Sequence, residues 1–433
     1  MAENNVRKQR VVVTGVGVVS PIGSGKKAFW ESLTGGRSGI RKLESFDART
    51  YPTQVAGEVS DFDPIAFMSH KEARRMDRSC QMIIAAAQMA LDDAGIDFTR
   101  EEEHGRVGVF TGTAVGGLGW AFREYSVFQE KGLKRINPFT AITTFPNASS
   151  AQISGRFRFV GPSVTISSGC VSSSLALGYA VDNIRLGRVD VAIVGGTEAP
   201  LEPGIFGAYC AARVMTTQND QPSLVPKPFD LYRDGIVLSE GAGVIVCESV
   251  EHAMRRGSRI YAEVGGWAHN SDSTNMMMIR PDGIQGKRVL QEATSESGLQ
   301  TKDIDLVMAH AAGTNADDKT EAEILHLVFG AEIHELPITA IKSMIGHTQG
   351  ACGVIESAAA VLSIYKGTAL PTINCNSQDP ECAIRINREK PLRKNIHALL
   401  LNTFGFGGKN ASVVFRAWDP GRAHSDCDDS RVI

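Results

Sequence analysis

Short, continuously apolar stretches alternate with longer helical stretches along this chain, and the alternation limits the folds open to it. Residues 106–112, 189–196 and 243–249 (RVGVFTG, VDVAIVGG, GVIVCES) are typical of strands buried on both faces. Residues 80–95 (CQMIIAAAQMALDDAG) and 173–187 (SSLALGYAVDNIRLG) have the composition of helices. The pattern predicts an α/β fold.

The alternation begins again in the second part of the chain. In the first part, residues 163–167 form a predicted strand that leads to Cys170 and an Ala/Leu-rich helix. In the second, residues 337–343 form a predicted strand that leads through His347 to another Ala-rich helix. This similarity favours two duplicated halves with an active site where they meet. Shared α/β periodicity alone would also produce it. The predicted halves are residues 1–260 and 261–433.

Charge and hydropathy argue against several classes of function. A formal net charge of -3 at pH 7 disfavours a protein built around nucleic-acid phosphates. Apolar runs fall short of the roughly 18 residues that span a bilayer. Residues 1–10 are polar and lack the apolar core of a secretory signal, so we expect a cytoplasmic protein. The polar residues after Trp418 are expected to fray.

The cysteine pattern favours free thiols in a reducing compartment, because the chain has no C-x-x-C pair. The eight cysteines are Cys80, Cys170, Cys210, Cys247, Cys352, Cys375, Cys382 and Cys427. Cys170 stands apart, because it lies between small polar residues and the start of a predicted helix. Backbone N–H groups at a helix N-terminus lower a thiol pKa, so we expect a reactive thiol there. A buried structural cysteine is the alternative.

Two histidines lie in similar positions, each after a predicted strand. His310 ends DLVMAH, and His347 lies in KSMIGHTQG. Strand ends that face a helix N-terminus are where open α/β folds bind ligands, which favours one site shared with Cys170. Zinc is an alternative for a Cys and two His residues, but no close ligand spacing supports it.

The N-terminal stretch VVVTGVGVVSPIG contains G-x-G-x-x-S after a predicted strand. A dinucleotide-binding fold would have Gly or Ala at the last position and a helix beginning there. Ser20 and Pro21 follow instead, so an oxidoreductase is a weak alternative. We interpret the glycines as a tight turn beside a buried sheet.

Five ordered motifs resemble those of the elongating β-ketoacyl-acyl-carrier-protein synthases, a family that includes 3-oxoacyl-acyl-carrier-protein synthases and type II polyketide ketosynthases. The motifs are GPSVTISSGC, PFDLYRDGIVLSEGAG, AHAAGTNADDKTEAE, IKSMIGHTQGACG and NTFGFGGKN. The resemblance runs nearly end to end. It implies a thiolase-like fold with two similar halves in five layers (α-β-α-β-α), and a dimer.

The resemblance also implies residue roles. Cys170 is the expected nucleophile, with His310 and His347 as catalytic histidines. Their expected supporting residues are Lys342, Glu321, Asp318 and Phe406, whose backbone N–H joins that of Cys170 in an oxyanion hole. The expected substrate-binding residues are Thr314, Val115, Ile236, Met277 and Phe404.

The implied reaction is a decarboxylative Claisen condensation. Cys170 takes an acyl group from a carrier-protein thioester, which splits the condensation into two steps. Malonyl-acyl carrier protein then loses CO2, and neutral imidazoles stabilise the enolate that attacks the acyl-cysteine. No metal or organic cofactor is implied, because the phosphopantetheine arm of acyl carrier protein holds the substrates.

Several residues depart from the fatty-acid enzymes of the family. Val171 replaces a small residue after the nucleophile, and we expect it to narrow the acyl pocket. Ala312 lies where the fatty-acid enzymes commonly have a hydroxyl side chain, and Ile236 lies where they have a phenylalanine. The segment that contains Asn275 and Met277 lacks the usual His and Thr. These departures favour the catalytic ketosynthase of a type II polyketide system over a housekeeping 3-oxoacyl-acyl-carrier-protein synthase II.

A basic segment is the expected landing site for an acidic acyl carrier protein. Residues 70–91 read as one helix, with Lys71, Arg74, Arg75 and Arg78 on a shared face. A solvated charged face is the alternative. The expected docking residues are Lys71, Arg74, Arg75, Lys134, Arg135 and Arg213.

Rival functions come from other classes. A thiolase needs a second catalytic cysteine near the C-terminus, and FGFGGKN does not supply one. A non-catalytic subunit that resembles a chain-length factor loses the nucleophile, whereas Cys170 is present. The expected partners are therefore acyl carrier protein and a second subunit, in a homodimer or a heterodimer with a chain-length-factor-like homologue. We expect no nucleic-acid or membrane partner.

Overall fold

Two groups of strands with the same pairing pattern form the framework of this computed structural model, which describes residues 9–96, 101–388 and 390–421. Cys427 and most of the polar segment after Trp418 lie outside the described residues. The strands are β1 (Val11–Ser20), β2 (Gly23–Ser24), β3 (Arg41–Lys42), β4 (Val55–Ala56), β5 (Val107–Gly112), β6 (Ser163–Ile166), β7 (Val191–Glu198), β8 (Gly241–Ser249), β9 (Ala262–Ser271), β10 (Leu306–Met308), β11 (Ile338–Thr339), β12 (Thr368–Ala369), β13 (Leu392–Arg393), β14 (Ala398–Gly405) and β15 (Lys409–Arg416).

The helices lie between these strands, as the sequence predicts for an α/β fold. They are α1 (Lys26–Thr34), α2 (His70–Ala73), α3 (Arg78–Ala94), α4 (Leu118–Lys131), α5 (Thr140–Thr143), α6 (Ala148–Phe157), α7 (Ser172–Arg185), α8 (Pro203–Ala211), α9 (Val250–Arg255), α10 (Ile284–Glu296), α11 (Asn315–Phe329), α12 (Lys342–Ile345) and α13 (Cys352–Lys366). Within the described residues, these helices lack the length and apolar content needed to cross a bilayer.

Strand pairing is duplicated between the two parts of the chain. The first group has the order β6-β5-β7-β8-β1 and the second the order β11-β10-β14-β15-β9. In each group the first three strands are parallel and the last two pairings are antiparallel. The groups join where β1 pairs with the start of β9.

The helices form three layers around these strand groups. α7 and α13 contact each other and strands of both groups, so they form the central layer. α3 packs on the first group, and α10 packs on the second. Central strands and helices are buried throughout, as for α13 from Cys352 to Ile364. The predicted thiolase-like α/β fold is confirmed.

Two details of the sequence-based prediction are wrong. The N-terminal glycines form no turn, because β1 runs straight through them; a Cβ on Gly17 would lie 2.0 Å from the carbonyl oxygen of Ala86, so glycine lets α3 pack directly on the strand. The basic segment is not one helix either. α2 ends at Ala73, and a separate helix, α3, begins at Arg78, where the Asp77 side chain caps it by accepting a hydrogen bond from the backbone N–H of Ser79.

Candidate active site

Cys170 lies in the tight turn between β6 and α7, as the sequence predicts. Gly169 has a φ of 60°, a left-handed conformation that glycine adopts without strain. The hydroxyl of Ser172 accepts a hydrogen bond from the backbone N–H of Ser168 at 2.8 Å and donates one to the carbonyl of Gly169 at 2.6 Å. These bonds close the turn and place the thiol at the N-terminus of a 14-residue helix.

The two histidines come from the second half and meet the thiol in one place. His347 Nε2 lies 3.1 Å from Cys170 Sγ. The His310 and His347 rings are 5.4 Å apart between centroids and nearly perpendicular, at 86°. Both rings are buried. The structure therefore brings together three side chains that the sequence separates by up to 177 positions.

A buried ion pair fixes the proton on His310. Lys342 pairs with Glu356, and its Nζ lies 3.3 Å from His310 Nδ1. Although burial lowers the pKa of Lys342, the charge of Glu356 raises it, so Lys342 is an ammonium group. An ammonium group only donates hydrogen bonds. His310 Nδ1 must therefore accept, and the ring proton sits on Nε2.

Burial and charge keep both imidazoles neutral. Burial, with the positive charge of Lys342, holds the pKa of His310 and of His347 well below the usual range. A neutral ring is the form that donates to a developing oxyanion without carrying its own charge.

The thiol pKa differs from the sequence-based expectation. Burial raises the pKa of Cys170 to about 11, although Lys342 and the backbone N–H of Phe406 act in the opposite direction. The net direction is therefore opposite to the lowering expected at a helix N-terminus, because burial makes the largest contribution to the pKa of Cys170. The resting pair is a neutral thiol beside a neutral imidazole.

Glu321 and Asp318 act on the backbone rather than on the histidine side chains. Glu321 accepts hydrogen bonds from the backbone N–H groups of His310 and Ala311 at 2.8 and 2.7 Å. Asp318 accepts from the N–H groups of Phe229 and Gly313 at 2.8 and 3.0 Å. These carboxylates fix the loop that carries His310.

Phe406 follows β14 directly and approaches the nucleophile with its backbone. Its N–H group faces the Cys170 thiol. Glycine at position 405 favours this approach, because a Cβ there would make a tight contact of 3.1 Å with the Cys170 nitrogen. The N–H groups of Phe406 and Cys170 are thus close neighbours.

A cavity of about 250 Å³ opens at Cys170, His310 and His347. Four of the five predicted substrate-binding residues line it: Thr314, Ile236, Met277 and Phe404. The fifth, Val115, is not among the described residues that line the cavity. Its backbone N–H donates a hydrogen bond to Glu198 instead. Val171 is also outside the wall and packs against Leu175 and Ala411, so the expectation that it narrows the pocket is wrong.

The predicted docking residues are exposed, with one correction. Lys71, Arg74, Arg75, Lys134, Arg135 and Arg213 all lie on the surface. Arg213 also lines the cavity, and the Arg75 guanidinium lies 4.8 Å from the centroid of the Phe139 ring. Arg78 does not belong to this group, because it forms an ion pair with buried Glu240 at 2.7 Å.

Sequence reasoning missed four residues at this site: Glu356, Glu198, Tyr209 and Gln349. Glu356 had a visible signal, since it is the one acidic residue in the apolar helical stretch GVIESAAAVLSIYKG. Glu198 accepts hydrogen bonds from Thr113, Ala114, Val115 and Gly350, so it ties together loops from both halves. Across the described residues, no group of three or more His, Cys, Asp or Glu side chains is arranged to hold a metal ion.

Comparisons with known proteins agree with this geometry. Residues 8–253 match the family model of the β-ketoacyl synthase N-terminal domain, and residues 261–376 match that of the C-terminal domain. The chain is 34% identical over 409 residues to "3-oxoacyl-[acyl-carrier-protein] synthase 2" of Coxiella burnetii, covering 94% of this chain and 99% of the relative. It is 37% identical over 413 residues to "Granaticin polyketide putative beta-ketoacyl synthase 1" of Streptomyces violaceoruber, covering 94% and 98%.

A solved structure is similar over the same extent. Its title describes a type II PKS acyl-carrier protein in complex with its ketosynthase bound to the hexaketide. The matched chain has a TM-score of 0.87 and 30% sequence identity, and the match covers 95% of this chain and 100% of that one.

Proposed function

Since the chain belongs to the β-ketoacyl synthase family, we propose that it is the catalytic ketosynthase of a type II polyketide system. The coarser activity is that of a β-ketoacyl-acyl-carrier-protein synthase, an enzyme that condenses an acyl group with malonyl-acyl carrier protein. The observation that carries the catalytic role is the 3.1 Å contact between Cys170 Sγ and His347 Nε2, because a non-catalytic subunit needs no such pair. The polyketide assignment is supported by the departures at Ala312 and Ile236 and by the 37% identity to a polyketide β-ketoacyl synthase.

In the first half-reaction, Cys170 becomes acylated. His347 Nε2 accepts the thiol proton while sulfur attacks the carbonyl carbon of the carrier-bound thioester. The C–S bond to the carrier breaks, and the proton passes to the leaving phosphopantetheine thiolate. Because the resting thiol is neutral, this transfer must accompany the attack.

In the second half-reaction, malonyl-acyl carrier protein loses CO2 and leaves an enolate. The Nε2–H of His310 donates a hydrogen bond to the enolate oxygen, and His347 donates a second once its single ring proton lies on Nε2 rather than Nδ1. The enolate carbon attacks the acyl-cysteine carbonyl, whose oxyanion receives hydrogen bonds from the N–H groups of Cys170 and Phe406. Collapse releases β-ketoacyl-acyl carrier protein and the Cys170 thiolate, which regains a proton.

The docking surface for acyl carrier protein is the basic patch of the first half. It consists of Lys71, Arg74, Arg75, Lys134, Arg135 and Arg213. All six side chains are exposed, and Arg213 reaches the cavity wall. An acidic carrier on this patch would present its phosphopantetheine arm to the cavity, with charge complementarity setting the register.

A second subunit would cover the open end of the first strand group. β6 is the terminal strand of that group, so one of its edges pairs with no other strand among the described residues. Val160 and Val164 are 75% and 42% exposed beside that edge. An exposed edge with apolar neighbours favours pairing with another chain, either a second copy or a chain-length-factor-like homologue. We place the divide between the halves at about residue 260, between α9 and β9.

Intact mass spectrometry tests the proposal. The protein is mixed with carrier proteins that carry fatty acyl or polyketide starter groups, and the mass added to Cys170 is measured. Preference for saturated acyl groups of increasing length would indicate housekeeping fatty-acid elongation. No labelling of a folded sample by any thioester would indicate the non-catalytic subunit.

A further inference from the structure

Among the polar side chains in the wall of the catalytic cavity that the condensation does not use, two lie beside the reacting groups. Gln349 follows His347 by two positions and is 1% exposed. Neither its amide oxygen nor its amide nitrogen has a hydrogen-bond partner among the described residues. Its φ of 46° is unusual for a residue other than glycine, so the backbone at Gln349 is in a strained conformation.

Tyr209 lies across from the amide and next to the nucleophile. Its ring stacks on Phe406, with centroids 6.4 Å apart and an interplanar angle of 19°. The Gln349 amide lies near the Tyr209 hydroxyl and acts to lower its pKa. The two groups nevertheless do not form a hydrogen bond of normal geometry. Burial raises the pKa of Tyr209, so the hydroxyl stays a proton donor.

Buried polar groups without partners are rare in folded proteins, and each has a desolvation cost. The neighbouring wall is mostly apolar and includes Val214, Ile236, Met277 and Phe404. A hydrocarbon chain would fit this wall but would leave the amide unpaired. A chain with a carbonyl oxygen at this depth would accept from the amide N–H2 and the phenol O–H.

We propose that Gln349 and Tyr209 form a polar recognition site that selects acyl chains with a keto oxygen near the thioester over saturated chains. This inference rests on the proposed function, because it takes Cys170 as the acylated residue. It names the substrate class as partly or wholly unreduced β-keto chains. Both residues are positioned for it: His347 and Phe406, their near neighbours, touch Cys170 directly.

The test compares acylation of Cys170 by hexanoyl, 3-oxohexanoyl and 5-oxohexanoyl thioesters of pantetheine, so that carrier docking plays no part. Intact mass spectrometry gives the rate for each thioester. We expect at least one keto thioester to react about tenfold faster than hexanoyl, the scale of one or two hydrogen bonds.

Variants assign the preference to the two side chains. Gln349→Leu should bring the ratio close to one by slowing the keto thioester and speeding hexanoyl. Tyr209→Phe keeps the ring stack and should lower the ratio less. Ser363→Ala is the matched control, because the Ser363 hydroxyl is also buried without a partner but lies outside the cavity wall. It should leave the ratio unchanged.

The outcomes separate the inference from the function beneath it. Equal rates for hexanoyl and both keto thioesters, or a ratio retained in both Gln349→Leu and Tyr209→Phe, would overturn the polar recognition site and leave the nucleophile in place. Failure of every thioester to label Cys170 in folded protein would overturn the proposed function, and the inference with it.

Discussion

The two halves of the molecule use the same strand order for different chemical purposes. In the first, β6 leads to Cys170 and α7, and the backbone N–H group of Phe406 faces the thiol. In the second, β11 leads through His347 to α13, which buries the charge of Glu356 against Lys342. The first half thus supplies the covalent group and the second supplies fixed charge.

The difference teaches why the site needs both halves. α7 and α13 contact each other in the central layer, and Cys352 at the start of α13 donates a hydrogen bond to the carbonyl of Cys170 at 3.3 Å. A thiol in the first half alone would lack the His347 proton acceptor. The histidines alone would have no acyl group to receive a carbanion.

Loss of the first half's contribution should have the largest effect. Cys170→Gln removes the nucleophile, and chain extension should fall about 10³-fold or more. Decarboxylation of malonyl-acyl carrier protein should continue, because the histidines and Lys342 are unchanged. Product mass spectrometry and CO2 release measure the two reactions separately. Extension at a tenth of the normal rate would contradict the division of labour between halves.

Loss of the second half's imidazoles should have the reverse pattern. His310→Ala should lower decarboxylation about 10²–10³-fold, as for loss of one oxyanion donor, with acylation of Cys170 retained. His347→Ala should lower decarboxylation similarly and also slow acylation, since His347 contacts the sulfur. His334→Ala changes an exposed histidine of the same half and serves as the control. Normal decarboxylation in His310→Ala would refute its role.

The contributions of the buried Lys342–Glu356 ion pair to stability and to decarboxylation can be measured separately. Lys342→Met leaves Glu356 buried and unpaired, and should lower the free energy of unfolding by about 3–5 kcal/mol. The double variant Lys342→Met/Glu356→Met should recover most of that stability in urea unfolding. It should not recover decarboxylation, because His310 Nδ1 has lost its donor. A fully active double variant would show that the ion pair serves the fold alone.

The pH dependence of alkylation tests the electrostatics of the first half. Because the pKa of Cys170 is raised to about 11, its thiolate fraction should increase about tenfold per pH unit from pH 7 to 10. The rate of alkylation by iodoacetamide should rise in parallel, whereas a free thiol levels off above its pKa of about 8.5. A rate that is already constant at pH 7 would mean an ionised Cys170–His347 pair.

Charge reversal on the first half should have the smallest effect. Arg74→Glu/Arg75→Glu should raise the KM for carrier-bound substrate about three- to tenfold at low salt, with kcat unchanged, because these exposed charges act on encounter. The increase should shrink at high salt. Lys302→Glu, on the surface of the second half, should leave the KM unchanged. Equal effects of both variants would mean that net charge matters and the patch does not.

Much of this site was predictable because its residues lie in ordered motifs. Cys170, His310 and His347 follow predicted strands, and the structure gathers them as expected. Tyr209, in α8, and Gln349, in the turn before α13, gave no such signal, since polar residues in helices and turns are common and their burial appears only after folding. The prediction of one continuous helix over residues 70–91 was wrong because the Asp77 side chain caps the start of a second helix instead of continuing the first.

The sequence by itself indicated the α/β alternation, the repeat of a strand, a candidate site residue and a helix in each half, and the candidate residues Cys170, His310 and His347, because periodicity and residue type are local properties. The tertiary structure decided the protonation of the site. Burial raises the pKa of Cys170, and the pairing of Lys342 with Glu356 sets the proton on His310. Both effects depend on excluded water and on distances between residues far apart in the chain.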